Sequence, residues 1–360
     1  MRITKEDTIY LKGIGILMII MHNFFHVLKP LIGENEFAYE PQNSLNFLSN
    51  LSASPLNFPQ ALLSYFGHYG VQIFIFCSGY GLTVIYRKSA LKFKPYILKR
   101  LYKLYPTFII GIILLLAYQV AFSDFEITTR TLAAVLIRIS LVANWIPDKV
   151  FSLSGPYWFY SMIVQLYILF PLLLVIVKKH KQGLWYIMLA CYVIVIAFNS
   201  QLSATDRSLY YNFIGNLPVF ILGIMMAHNI HFQIRKSVWV LAVLVFIAGQ
   251  FNNYLWSFSQ ITFLLISLPA LLFLYRKTVR THFSKFILFT GRISMYLFVV
   301  NGFMRMPWVQ YANEANSSTY DYLYAGLFLI LVYLVALFLK WIEQSLLALL
   351  NKRFDISPVK

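Results

Sequence analysis

Charge is scarce in this chain. Only 12% of its 360 residues are Asp, Glu, Lys or Arg, and the acidic sign is the rarer, with 13 acidic residues against 30 basic ones. A soluble domain carries about a quarter charged residues, so a water-exposed surface of ordinary extent is excluded. Cysteine is scarcer still: Cys77 and Cys191 both fall inside apolar runs, which excludes a disulfide framework and the paired spacing of a structural zinc site. Internal repeats, low-complexity tracts and long polar stretches are also missing, so the sequence reads as a single transmembrane domain over 1–360 with no appended soluble domain.

Apolar residues are what the chain has in abundance, 59% by count, with a mean hydropathy of +0.68. Crossing about 30 Å of hydrocarbon takes roughly 20 apolar residues at about 1.5 Å each. Such stretches fall at Ile9–Leu28, Leu63–Tyr86, Leu104–Phe122, Trp158–Val177, Leu184–Asn199, Phe213–Ala227, Val238–Phe251, Ser257–Tyr275, Phe286–Met304 and Tyr322–Leu347. The fold class expected is therefore all-α, a polytopic transmembrane bundle of about ten spans. Thr131–Trp145 is apolar but short and carries Arg138 midway, so it reads as an interfacial or re-entrant segment.

A net charge of +17 raises the question of nucleic acid, but the bases alternate from loop to loop as the positive-inside rule describes. Arg2, Lys5, Lys12, Arg87, Lys88, Lys92, Lys94, Lys99, Arg100 and Lys103 fall on one side, joined by Lys178, Lys179, Lys181, Arg235, Lys236, Arg276, Lys277, Arg280, Lys285, Lys340, Lys352, Arg353 and Lys360. Lys29, Arg130, Arg138, Lys149, Arg207 and Arg305 fall outside. Both termini are thus expected in the cytoplasm of a multi-pass inner-membrane protein, with lipid rather than nucleic acid as its surroundings. The first span lacks a small-residue cleavage site and reads as structure rather than as a signal peptide.

Ionisable side chains inside a span cost several kcal/mol, on the order of the scale for mid-helix charges, unless they face a cavity or a partner. The first span is the richest in them. Lys12-Gly13-Ile14-Gly15 opens it, with glycines that permit close backbone approach, and His22-Asn23-Phe24-Phe25-His26 closes it. His22 and His26 share a helix face. They suit a general base or proton relay, or a packed pair bonded to backbone carbonyls. No third ligand type stands nearby in sequence, so no metal is expected there. Between spans two and three, Arg100 and Lys103 share a face of a basic helical entry ending at Pro106. They read as topology-setting bases or as a clamp for a phosphorylated ligand. Gln165, an amide in mid-span, requires a partner.

Taken in order, these stretches resemble the membrane-bound acyltransferase 3 family. Lys12-Gly13-Ile14-Gly15-Ile16 through His22 is similar to its opening basic-Gly segment leading to a His. Gly70-Val71 with Phe74, Phe76, Ser78 and Gly79 is similar to its second segment, and Arg100, Lys103 and Pro106 to its Arg-x-x-Arg element. Trp158-Phe159, Gln165, Tyr167 and Pro171 follow, then Phe220 with Gly223, and Gly291, Ser294 and Tyr296. Three positions depart from the pattern. The in-phase position for the family His is Asn23, which makes His26 a second candidate base; Asn301 stands where relatives often carry His; and Lys103 replaces an Arg.

The resemblance implies transfer of an acyl group, most often acetyl from acetyl-coenzyme A, to a hydroxyl of a glycan or lipid-linked saccharide, with no permanently bound cofactor. Lys12, Arg100 and Lys103 would hold the coenzyme's phosphates. His22, or His26, would deprotonate the acceptor, and a covalent acyl-histidine relay fits the same residues. Asn23, Gln165 and Tyr167 would donate to or orient around the carbonyl oxygen. A secondary transporter of a glycan intermediate is the alternative. The lack of an inverted repeat and the basic clamp speak against it. A glycan polymerase or ligase would want a larger outer loop rich in Arg. The loop Lys29–Pro59, with Glu34, Glu36 and Glu40, reads equally as a sugar-facing lip or as a solvated connection.

Overall fold

The computed structural model describes residues 3–31, 33–53, 55–123, 125–180, 182–228 and 234–354, which fold into helices with no strand. Of the basic residues that mark the charge alternation, Arg2, Lys181 and Lys360 lie outside them. The helices are α1 (Lys5–Phe25), α2 (Pro41–Ala53), α3 (Asn57–Phe66), α4 (Gly70–Tyr86), α5 (Phe93–Phe122), α6 (Thr129–Ile139), α7 (Trp158–Lys179) and α8 (Gly183–Ser203). There follow α9 (Phe213–Ala227), α10 (Lys236–Gly249), α11 (Asn253–Trp256), α12 (Ser259–Thr278), α13 (His282–Arg292), α14 (Ser294–Val300), α15 (Met306–Ala315) and α16 (Ser318–Phe354).

Each of the ten apolar stretches falls on a helix, but not every one is a full span. Among the described residues, 7 helices are long and apolar enough to cross a membrane: Lys5–Phe25, Asn57–Tyr86, Phe93–Phe122, Gly155–Lys179, Gly183–Ser203, Ser259–Thr278 and Ser318–Leu349. The stretch expected at Phe286–Met304 is the pair α13 and α14, bent by 67° at Ile293, a broken span or a re-entrant loop. Helices α9 and α10, with 15 and 14 residues, fall short of the roughly 20 that a span requires. Their apolarity has two different causes. Every residue of α9 from Gly215 to Ala227 is buried by protein, whereas α10 buries only Ala242 and Gly249 and turns Trp239, Val240, Leu241 and Leu244 outward. The segment around Arg138 is the short helix α6, and the Arg138 guanidinium is fully buried, donating to the carbonyls of Lys149, Val150 and Ser152.

Helix α1 occupies the centre. Thr4 and Asp7 form a capping box at its start, and it packs against α3, α4, α12, α13, α14 and α16. Its glycines make this closeness possible: a Cβ on Gly15 would lie 3.0 Å from the Gly70 carbonyl oxygen at the head of α4. The α3–α4 span is 67% buried over its most apolar window and the α16 span 28%, so α4 belongs to the core and α16 to the lipid-facing rim. Some polar groups within the bundle pair with one another, as hydrocarbon favours. The buried Glu343 carboxylate accepts from Thr107 at 2.7 Å and from Tyr296 at 2.5 Å, tying α16 to α5 and α14.

Candidate active site

The last turn of α1 brings His22 and Asn23 to one end of the bundle, and His26 caps the helix. The imidazoles of His22 and His26 stack with centroids 4.6 Å apart, and His68, at the α3–α4 junction, meets His22 edge-on at 5.5 Å. Gly67 makes room for this arrangement, since a Cβ there would lie 2.6 Å from the His22 Cβ and 2.8 Å from the Met18 carbonyl oxygen.

The orientation of His22 is fixed by a backbone partner. Its Nδ1 lies 2.8 Å from the Ser64 carbonyl oxygen, and a carbonyl can only accept, so Nδ1 carries the hydrogen and Nε2 the lone pair. His26 repeats the pattern, its Nδ1 donating to the His22 carbonyl at 2.7 Å. The His22 Nε2 faces the Glu36 carboxyl at 3.9 Å. Glu36 and Glu34 arrive on the loop after α1, which Asn35 anchors by donating to Tyr65 at 3.0 Å and accepting through its carbonyl from the Trp256 indole at 3.0 Å.

These groups line a cavity of about 410 Å³, closed on its other sides by Phe37, Val71, Phe151, Trp158, Phe298 and Arg305. Its electrostatics are unusual. Burial pushes the Glu34 carboxyl up to about 7 against the pull of Arg305, and burial together with Glu34 holds Glu36 well above the usual carboxylate range. Burial and the Arg305 cation press His26 down to about 4. The neutral His26 imidazole and one guanidinium therefore face the same space at neutral pH. The guanidinium is fastened through Nη1 to the Asn23 carbonyl at 2.9 Å, and Asn23 Nδ2 donates to Asn301 at 2.6 Å. His22, His26 and Glu34 each bring a ligand-type atom within 4.8 Å of the others. The third ligand type that sequence proximity did not offer is thus present in space, and this set is where a metal would be held.

A second polar group of residues lies nearer the start of α1. Lys12, Lys99 and Arg100 all act electrostatically on Lys103, so α1 and α5 bring these cations together. Lys12 also reaches the Cys77 thiol. The Arg100 guanidinium lies 5.9 Å above the Tyr96 ring, and its Nε is buried without a protein partner.

The remaining two residues singled out in the sequence do not line the His22 cavity. Tyr167 lies near the Ser78 hydroxyl and within electrostatic reach of Arg100, placing it with the cationic group. Gln165 donates to Asn212 at 2.8 Å and accepts from the Phe213 N–H at 3.0 Å, so both ends of its amide fasten α7 to the start of α9. Conversely, His68 and Arg305 face the cavity without having been singled out, and Glu34 and Glu36, named only as part of an outer loop, face it too. Two carboxylates eight and ten residues beyond His26 were the available signal for the latter pair.

A model of the acyltransferase 3 family, described as an acyltransferase domain, matches residues 7–342, a stretch that includes every residue of both polar groups. No curated protein and no solved structure matches the chain.

Proposed function

The chain belongs to the acyltransferase 3 family, and we propose that it moves an acyl group, acetyl from acetyl-coenzyme A, to a hydroxyl of a glycan or lipid-linked saccharide at the inner membrane. The observation that carries this reading is the bond from His22 Nδ1 to the Ser64 carbonyl. It leaves a basic nitrogen directed at a cavity while the cations gather elsewhere, Lys12 nearer the start of the same helix and Arg100 and Lys103 on α5. With the N-terminus in the cytoplasm, Lys12, Arg100 and Lys103 meet the coenzyme's phosphates through charge-assisted bonds. His22 and His26 lie about 15 and 21 Å further along α1 at about 1.5 Å per residue, a distance suited to a pantetheine arm.

In this mechanism the acceptor hydroxyl enters the His22 cavity and gives its proton to Nε2 as its oxygen attacks the thioester carbonyl. Collapse of the adduct breaks the carbon–sulfur bond, and the imidazolium returns the proton to the departing thiolate, leaving an ester and free coenzyme A. General-base help of this kind contributes roughly 10²- to 10⁴-fold. Apolar walls from Trp158, Phe298 and Val71 keep the exchange in a low-dielectric space.

The donor half is tested by titrating purified protein with acetyl-coenzyme A. Binding is expected in the wild type and is expected to weaken by about 10- to 100-fold in Arg100→Ala, the scale of a lost hydrogen bond between charged groups. No binding to the wild type, or equal binding by the variant, would remove the donor assignment.

A further inference from the structure

Base catalysis accounts for the proton, but the thioester carbonyl must also carry negative charge as it is attacked, and that charge needs a donor fixed in advance. Gln165 is committed to Asn212 and Phe213, Tyr167 lies with Arg100 and Ser78, and Asn23 directs its amide at Asn301. Arg305 is different in each respect. It is the one Lys or Arg among the described residues that line the cavity. It follows α14 with a single hydrogen bond, from Nη1 to the carbonyl of Asn23, the neighbour of His22 in the chain. Its Nε is buried with no partner among the described residues, and its charge acts on His22, His26 and Glu34.

Resting on the acyl-transfer reading of the same cavity, we propose that Arg305 is a catalytic residue whose guanidinium donates hydrogen bonds to the oxyanion of the tetrahedral adduct formed beside His22. As the acceptor oxygen bonds to the carbonyl carbon, the C=O π electrons move onto oxygen, and the free N–H groups of Arg305 receive that charge. When the C–S bond breaks they return to re-form the carbonyl. The tether to Asn23 makes the guanidinium and the imidazole neighbours through backbone alone, so the donor is aimed before substrate arrives.

The test uses full-length protein in detergent, acetyl-coenzyme A, and as acceptor the surface polysaccharide of the cells that carry the gene, stripped of esters by mild base. Thiol release and ester formation are followed together. Arg305→Gln is expected to lower kcat by about 10²- to 10³-fold, the usual effect of removing one oxyanion donor, with the KM for acetyl-coenzyme A changed less than threefold. Arg305→Lys should retain part of the rate. Because Arg305 also braces the Asn23 carbonyl, a third variant separates folding from chemistry: in Arg305→Gly, millimolar guanidinium, but not ammonium, is expected to restore activity. A kcat within threefold of wild type in Arg305→Gln, or an inactive Arg305→Gly that guanidinium does not rescue, would overturn the assignment while active wild type and inactive His22→Ala leave the acyl-transfer reading standing. An inactive wild type would bring down that reading and this one with it.

Discussion

The carbonyl oxygen of Ser64 accepts the Nδ1 hydrogen of His22 at 2.8 Å, across 42 residues of chain. Ser64 is held in turn, its hydroxyl donating to the Leu31 carbonyl at 2.8 Å. The tautomer and direction of the buried imidazole are therefore set by backbone that belongs to a different helix, and disturbing that helix should disturb the base.

Gly67→Ala tests this link without replacing either partner. The added methyl would meet the His22 Cβ at 2.6 Å and the Met18 carbonyl at 2.8 Å, so α1 and the α3–α4 junction must separate. Overpacking of this sort costs about 1–3 kcal/mol. The expected result is a lower melting temperature together with a kcat loss larger than any change in the KM for donor, measured on the purified variant.

Two groups beside the cavity should give opposite pH dependences of stability. Glu34 rises from 4.5 to about 7 on folding, so between those values the folded state holds the proton that the unfolded state has lost, and stability falls as pH rises through that window. His26 falls from 6.5 to about 4. There the unfolded state binds the extra proton, and stability falls as pH drops from 6.5 towards 4. In the wild type the slopes oppose one another between about 4.5 and 6.5. Relative to wild type, the change of melting temperature with pH across this range is expected to become more positive in Glu34→Gln and more negative in His26→Gln, by differential scanning fluorimetry. The same slope in both variants would contradict the assignment.

Gln165→Ala should behave as a structural lesion rather than a catalytic one. The substitution leaves the Phe213 N–H and the Asn212 Oδ1 without the amide that now pairs them, at a cost of about 1–3 kcal/mol for each buried group left unsatisfied. Melting temperature should drop while kcat per folded molecule, normalised by donor-binding sites, stays within about twofold, because this amide does not face the cavity.

Legibility in the sequence divides along physical lines. Histidines and lysine stand out in an apolar helix, because lipid tolerates them only where something is done with them; hence Lys12, His22, Asn23 and His26 could be read from one segment. Arg100 and Lys103 were visible for the same reason, and α1 and α5 do bring them into electrostatic reach of Lys12. Glu34, Glu36 and Arg305 are ordinary loop charges until the fold turns them inward, and nothing local marks Arg305 as a neighbour of Asn23, 282 residues away. Hydropathy found the long apolar helices but could not separate two kinds of apolarity. The residues of α9 are apolar because protein surrounds them, as lipid-facing residues are apolar because hydrocarbon does, and only packing distinguishes the two. Gln165, an amide in mid-span, has its hydrogen-bond partners at the start of α9, which no local pattern announces.

The most direct measurement is acyl transfer itself, with purified protein, acetyl-coenzyme A carrying a labelled acetyl group, and the de-esterified surface polysaccharide as acceptor. Wild type is expected to move label onto the polysaccharide as an alkali-labile ester, and His22→Ala to lose at least about 10²-fold in rate while still binding donor. Full transfer by His22→Ala with loss in His26→Ala would move the base to the second imidazole. Full transfer in both variants, or none in the wild type, would contradict the account at its centre.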